Sequence, residues 1–215
     1  MKTPVEGESS ANFGRTVDAA VETLKGTLSE ELGLEITVFE FAGPHLVPTA
    51  GTYSPFDFLR LGLTEKLERR LPFLLVVCEV DLAAPTLSYA LAFPSRLMNI
   101  GILSTNRLSP SFWGDDPAPE KTSRRLAGLM LHSVGHLLNL EHHPEPTNAM
   151  YDFTSVEDLE RMEEVTPEQR EHMRRILPRE ARDAVEDGNR LRFILRQVCQ
   201  DWHVILQTVI RANPF

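Results

Sequence analysis

Three histidines between Leu131 and His143 have the spacing of a metal site. His132 and His136 are four residues apart in a predicted helix, so both imidazoles project from one face, one turn apart. The helical pattern fails at Asn139, a residue type that tolerates the left-handed conformation and can end a helix. His142 follows three residues later, where the redirected chain can bring it back toward the other two.

Three imidazole ligands are typical of a catalytic zinc ion, because the fourth tetrahedral position then stays open to water. Two histidines on a surface helix, without any metal, are the ordinary alternative for such a pair. The third histidine after a helix break favours the metal, and we predict one Zn²⁺ per chain, although imidazoles also suit other divalent ions. Gly128 and Gly135 lie on the same helix and leave its face unobstructed.

The helices and strands predicted around these histidines indicate an α+β fold, a mixed sheet with helices. The metal-bearing helix is expected to begin at Thr122 or Ser123 and is preceded by a helix over 17–32 and by another from Ser54-Pro55 to about Arg70. Thr166 and Gln169 have the pattern of a capping box that starts a further helix. Alternation or continuous apolar runs predict four strands, Glu35–Phe41, Phe73–Val80, Leu87–Phe93 and Met98–Ser104.

The domain organisation is predicted as residues 1–177 for the metal-bearing domain and 178–215 for a helical C-terminal extension packed on it. Apolar residues recur at helical spacing from 191 to 209 in that extension. Packing on its own domain and pairing with a dimer or partner helix both explain this stripe.

Composition excludes several function classes. The 215 residues include 22 Lys and Arg against 31 Asp and Glu, a net charge of −9 without a basic cluster, so we expect no nucleic-acid partner and no anionic membrane surface. The longest apolar stretch, Leu71–Cys78, is too short to span a bilayer. Two cysteines form no disulfide framework, and no apolar run follows a basic start, so a cytoplasmic location is expected.

The pattern His132-x-x-x-His136-x-x-Asn139-x-x-His142 resembles the extended zinc motif of the metzincin metallopeptidases, H-E-x-x-H-x-x-G-x-x-H. More narrowly it is similar to the archaemetzincins, whose motif continues H-C-x-x-x-x-C-x-M, a spacing that the run from His142 to Met150 keeps. This resemblance implies a zincin-like fold, with zinc on the active-site helix at the floor of a cleft and Met150 beneath the metal. It covers residues 71–175 and, more loosely, the earlier helix and strand.

The sequence departs from that family pattern at three places. Ser133 replaces the glutamate that serves zincins as general base, and a serine hydroxyl cannot accept a proton near neutral pH. Asn139 replaces the glycine but meets the same backbone requirement, so we expect it to support the metal site. The cysteines of the family's second zinc site are absent. His143 and Asn148 stand at the first two positions, and Thr166-Pro167-Glu168-Gln169 lies where the later pair is expected.

These departures leave three hypotheses for the function. The favoured one is a pseudo-peptidase or strongly attenuated hydrolase, degenerate at Ser133, that keeps its cleft for a peptide or protein. The second is an active peptidase or amidase that uses zinc-hydroxide alone or another carboxylate. The third is an interaction module with a vestigial metal site. The carboxylates considered are Glu141, Glu145 and Asp152. The strand that ends at Ser104 is either an edge that pairs with extended peptide or one more core strand, and the oligomeric state is not specified.

Overall fold

The computed structural model describes residues 6–32, 36–40, 46–84 and 87–177. The predicted extension over 178–215 lies outside these residues. Four α-helices occur in the described ranges, namely α1 (Glu6–Lys25), α2 (Pro55–Arg69), α3 (Pro119–Leu137) and α4 (residues 167–177). No helix in these ranges combines the length and the apolar character needed to cross a membrane.

The helix boundaries follow local rules. Ser54 accepts a hydrogen bond from the Phe56 amide at 3.3 Å, and Pro55 fills the first helical position, so α2 begins where the sequence predicts. Arg70 closes the same helix in the left-handed conformation. α1 begins earlier than its apolar spacing indicates and passes into a π-helical turn at Gly26–Glu31.

The strands form a mixed sheet and a separate two-stranded sheet. In the described chain they are β1 (Leu74–Cys78), β2 (Leu82–Ala84), β3 (Leu87–Ala90), β4 (Ala92–Ser95) and β5 (Ile100–Ser104). β5 lies between a parallel β1 and an antiparallel β4, and β2 pairs with β3. This arrangement of helices and mixed strands confirms the predicted α+β class. Because β5 is central, the edge-strand hypothesis for Ile100–Ser104 is wrong, and β4 lies at the edge of the described sheet.

The mixed sheet separates two apolar clusters, since successive side chains of a strand point to opposite faces. On one face α2 packs against alternate residues of β1 and β5, including Val76, Ile100 and Ile102. On the other face lie α3 and α1, with Leu103 among the residues buried there. α3 is therefore held between the sheet and α1, which fixes the helix that carries two of the three histidines.

Two strand predictions are wrong in detail. Residues 36–40 form no strand, and Val38 is 50% exposed. Alternation supplies an apolar face, but a strand also needs a neighbour for its backbone, and no described strand pairs with this segment. The single strand predicted over 87–93 is two, divided at Leu91, and Pro94 lies within β4, where an edge tolerates a residue that cannot donate.

Candidate metal centre

The end of α3 redirects the chain toward its own last turns. Asn139 has a φ of 65°, the left-handed conformation that ends a helix. The Asn139 amide donates to the His136 carbonyl at 3.1 Å, and the Leu140 amide donates to the Gly135 carbonyl at 2.9 Å. These bonds satisfy the last carbonyls of α3 and turn the following residues back over the helix.

The three predicted histidines come together at this reversal. His132, His136 and His142 each offer one ring nitrogen, and these atoms lie within 4.8 Å of one another. The Nε2 atoms of His132 and His136 are 3.0 Å apart. His132 is buried, His136 is partly buried and His142 is exposed, so the group opens to solvent on the side of the third histidine.

The backbone fixes the tautomer of His132. Its Nδ1 lies 2.8 Å from the Ala149 carbonyl oxygen, which can only accept, so the ring proton is on Nδ1 and Nε2 carries the lone pair, on the side of the His136 Nε2. Burial lowers the pKa of His132 to about 4, outweighing the Ala149 hydrogen bond that raises it. Burial also lowers the pKa of His136. Both imidazoles are therefore neutral near pH 7, as a metal ligand must be.

Met150 packs against the helical turn that bears the histidines. It is 1% exposed, and a Cβ built on Gly135 would lie 2.1 Å from the Met150 sulfur. Gly128 has a similar role one turn before His132, because a Cβ there would lie 2.4 Å from the Leu159 carbonyl oxygen. The two glycines thus allow the segments that follow α3 to approach the helix closely. The sequence predicts only that these glycines leave the helix face unobstructed, whereas the structure shows which residues occupy the space.

The side chains around His142 and His132 differ in character. The Asp152 Oδ1 is 3.6 Å from the His142 Nδ1, and both side chains are substantially exposed. The Phe153 ring meets the His132 ring edge to face, with centroids 5.2 Å apart. The group is therefore apolar at its base and acidic at its rim.

Ser133 faces the sheet rather than solvent. It is fully buried, its Oγ makes no hydrogen bond, and its Cβ would lie 3.7 Å from a Cβ built on Gly101 of β5. Of the three candidate carboxylates, Asp152 has an oxygen 3.6 Å from the His142 Nδ1, and the charge of Glu141 acts to raise the pKa of His136, although burial outweighs it. The Glu145 amide donates to the His143 Nδ1 at 3.2 Å, but the three-histidine group contains no carboxylate.

The donor set suits a transition metal. Three imidazoles at one rigid helix and one reversal match the ligands that zinc takes in sites with an open position. No other group of three or more His, Cys, Asp or Glu side chains in the described chain could hold a metal. The Ala149 carbonyl, which orients His132, is a backbone atom and gave no signal in the sequence.

Sequence comparison finds archaemetzincins, although no family model matches the chain. The archaemetzincin of Pyrococcus furiosus is 30% identical over 84 residues, which are 39% of this chain and 44% of that protein. The archaemetzincin of Pyrococcus abyssi is 29% identical over 84 residues, 39% of this chain and 45% of that protein. The matched segment thus spans less than half the length of these curated relatives.

Structural comparison extends the likeness beyond this segment. A zinc-dependent peptidase of Methanocorpusculum labreanum has a TM-score of 0.57 at 19% identity, covering 73% of this chain and 94% of that chain. The archaemetzincin of Methanopyrus kandleri has a TM-score of 0.56 at 22% identity, covering 82% and 91% respectively. The chain is therefore similar in sequence to the archaemetzincins over 84 residues and has their fold, with Ser133 following the first histidine of the motif.

Proposed function

We propose that the chain is a zinc-binding, metallopeptidase-like protein that lacks the glutamate general base, and is thus a pseudo-peptidase or strongly attenuated hydrolase. The observation that carries the proposal is the convergence of His132, His136 and His142 within 4.8 Å, with Ser133 in the position after the first. The description of the Methanocorpusculum labreanum neighbour as a zinc-dependent peptidase supports zinc as the metal.

The residues of the chain prepare the site for a metal. The Ala149 carbonyl holds His132 in the tautomer whose Nε2 is free, and burial keeps His132 and His136 unprotonated near neutral pH. When bound by three imidazoles, zinc supplies Lewis-acid polarisation of a carbonyl group and lowers the pKa of water to about 7.

A general base is the missing component. Such a base must lie within about 2.6–3.2 Å of the oxygen atom whose proton it takes, or reach it through one water. The Ser133 hydroxyl cannot accept that proton near neutral pH, and it is buried against Gly101. Because general acid–base catalysis contributes about 10²–10⁴-fold, we expect peptide cleavage by the unchanged chain to be weak or absent.

Metal analysis of purified protein, combined with a peptidase assay, tests the proposal. The unchanged chain should contain about one zinc, which His132→Ala should lose. Ser133→Glu should raise peptide cleavage about 10²–10⁴-fold, whereas the matched variant Ser133→Ala should keep the zinc and the low activity. Absence of zinc from the unchanged chain contradicts the proposal, and so does cleavage by the unchanged chain at the rate of Ser133→Glu.

An active hydrolase is the second candidate, and Asp152 is the observation that favours it. Its carboxylate is exposed at the rim of the group, 3.6 Å from the His142 Nδ1. If the unchanged chain cleaves peptides, Asp152→Asn should abolish cleavage under this alternative, while the exposed control Glu145→Gln should not. The same pair of variants has no effect if Ser133 marks a true loss of catalysis.

A peptide or protein held in the cleft is the partner that we propose for the inactive form. β4, at the edge of the described sheet, offers backbone groups with which an extended chain can pair. Partner binding that survives His132→Ala would instead favour the interaction module with a vestigial metal site.

A further inference from the structure

The turn over residues 147–150 supplies two groups to the histidine centre. The Ala149 carbonyl accepts the Nδ1 proton of His132 at 2.8 Å, and the Met150 side chain packs against Gly135 of α3. Asn148, Ala149 and Met150 are all at most 2% exposed. The position of this turn therefore determines the orientation of the most buried histidine ring.

A pair of amide side chains holds this turn from behind. The Asn148 Oδ1 accepts from the Met150 backbone amide at 2.8 Å and from the Gln169 Nε2 at 3.2 Å. The Asn148 Nδ2 in turn donates to the Gln169 Oε1 at 2.9 Å. The two amides therefore exchange hydrogen bonds while one of them also fixes the backbone next to Ala149.

Gln169 is itself fixed by the start of α4. The Thr166 amide donates to the Gln169 Oε1 at 3.0 Å, and the Gln169 amide donates to the Thr166 Oγ1 at 3.2 Å, which is a capping box. With the Oε1 engaged by two donors, the Gln169 amide cannot rotate without losing hydrogen bonds. The start of α4 thus sets the orientation of the Asn148 side chain.

We propose that Asn148 and Gln169 are positioning residues of the three-histidine centre. They act through the Ala149 carbonyl, which they hold where it orients His132 with its Nε2 toward His136. The inference rests on the proposed metal binding, and it adds residues from a helix that contributes no ligand. Because both side chains are neutral amides, their effect does not depend on a charge that titrates.

Zinc affinity and the absorption spectrum of the Co²⁺-substituted protein test this role apart from stability. Asn148→Ala should weaken zinc binding about 10- to 100-fold, the usual effect of removing a partner of a ligand, and should alter the Co²⁺ bands. Gln169→Glu keeps the capping-box acceptor but places a carboxylate oxygen against the Asn148 Oδ1. It should therefore weaken zinc binding similarly while the melting temperature changes little.

A control variant separates positioning from general destabilisation. Asp158→Ala removes the acceptor of the hydrogen bonds from the Thr154 and Ser155 amides, none of which involves a histidine, so it should lower the melting temperature and leave zinc affinity and the Co²⁺ bands unchanged. Unchanged zinc affinity and Co²⁺ bands in both Asn148→Ala and Gln169→Glu would overturn the positioning role. Failure of the unchanged chain to bind zinc overturns the proposed function itself, so the two failures are distinguishable.

Discussion

At the residue scale, burial and one backbone hydrogen bond determine the protonation state of His132, the most buried histidine of the centre. Burial outweighs the Ala149 hydrogen bond and the nearby charge of Asp152 and lowers the pKa of His132 to about 4, so the ring without metal is already in the form that binds one. His142 lies at the exposed side of the group, next to Asp152. The centre therefore combines a buried, oriented inner histidine with an exposed outer one.

Local sequence rules predict the side chains of this centre, because spacing on a helix and a helix-ending Asn139 are properties of neighbouring residues. They do not predict the Ala149 carbonyl, which meets His132 only after the chain reverses. They also give no indication that Asn148 pairs with Gln169, which requires the relative position of two elements 21 residues apart. The sequence does indicate that Asn148, Thr166 and Gln169 stand where the archaemetzincin resemblance places cysteines. In the structure, hydrogen bonds join these three residues.

Asp158 makes the stability of the described domain depend on pH. Burial opposes its charge, but hydrogen bonds from the Thr154 and Ser155 amides and the ion pair with Arg161 outweigh burial and lower its pKa below 3.8. A carboxylate with a lowered folded pKa stabilises above its unfolded pKa, and this contribution is lost as pH falls through the folded value. Asp158→Asn should therefore lower the free energy of unfolding by about 1–2 kcal/mol at pH 7.

Denaturant unfolding at pH 7 and at pH 3 measures this effect. The difference between the unchanged chain and Asp158→Asn should shrink toward pH 3, below the unfolded pKa of about 3.9, because the unfolded chain then binds a proton that the native carboxylate resists. Asp116→Asn, in the exposed loop before α3, should change stability little at either pH. A difference that is equal at both pH values would show that the charge of Asp158 does not contribute.

At the element scale α3 is the scaffold, and three other elements approach it. The sheet meets it at Ser133 and Gly101, α1 packs along it, and the 3₁₀ turn Asp158–Glu160 lies against Gly128. The buried Arg125 of α3 forms ion pairs with Glu157 and Glu160 that hold this turn against the helix. The apolar stripe of α3 predicts that the helix is covered, but periodicity does not specify which element covers which side.

Gly128→Ala should destabilise the domain. The new Cβ would lie 2.4 Å from the Leu159 carbonyl oxygen, a backbone atom that cannot move without displacing the 3₁₀ turn. We expect a loss of about 1–3 kcal/mol in the free energy of unfolding, more than the gain of about 1 kcal/mol from helix propensity. Chemical denaturation of the purified variant measures the change.

Gly14→Ala in α1 is the matched control, because a Cβ there meets nothing within 4 Å. It should raise the free energy of unfolding by about 0.5–1 kcal/mol through helix propensity alone. If both variants gain stability, the close approach of Leu159 to α3 does not constrain the helix.

At the scale of the whole molecule, the metal would connect segments that are otherwise held by packing and hydrogen bonds. His132 and His136 belong to α3, while His142 belongs to the segment that leads to Met150 and on toward α4. A ligand that binds the folded chain and not the unfolded chain stabilises it by mass action, about 2.7 kcal/mol when the free ligand is at 100 times its Kd. The histidine centre should therefore control the stability of the domain as well as its chemistry.

Removal of the metal should lower the melting temperature of the domain. For a chain of this size a change of 1 kcal/mol moves the melting temperature by about 2–4 °C, so a chelator should lower it by about 5–10 °C relative to protein in excess zinc. Calorimetry with and without chelator measures the shift, and His132→Ala should show none because its site cannot close around the ion. A chelator that strips the zinc from the unchanged chain without moving its melting temperature would show that the three histidines are equally well arranged in the unfolded and folded chain, contrary to the rigid convergence at the end of α3.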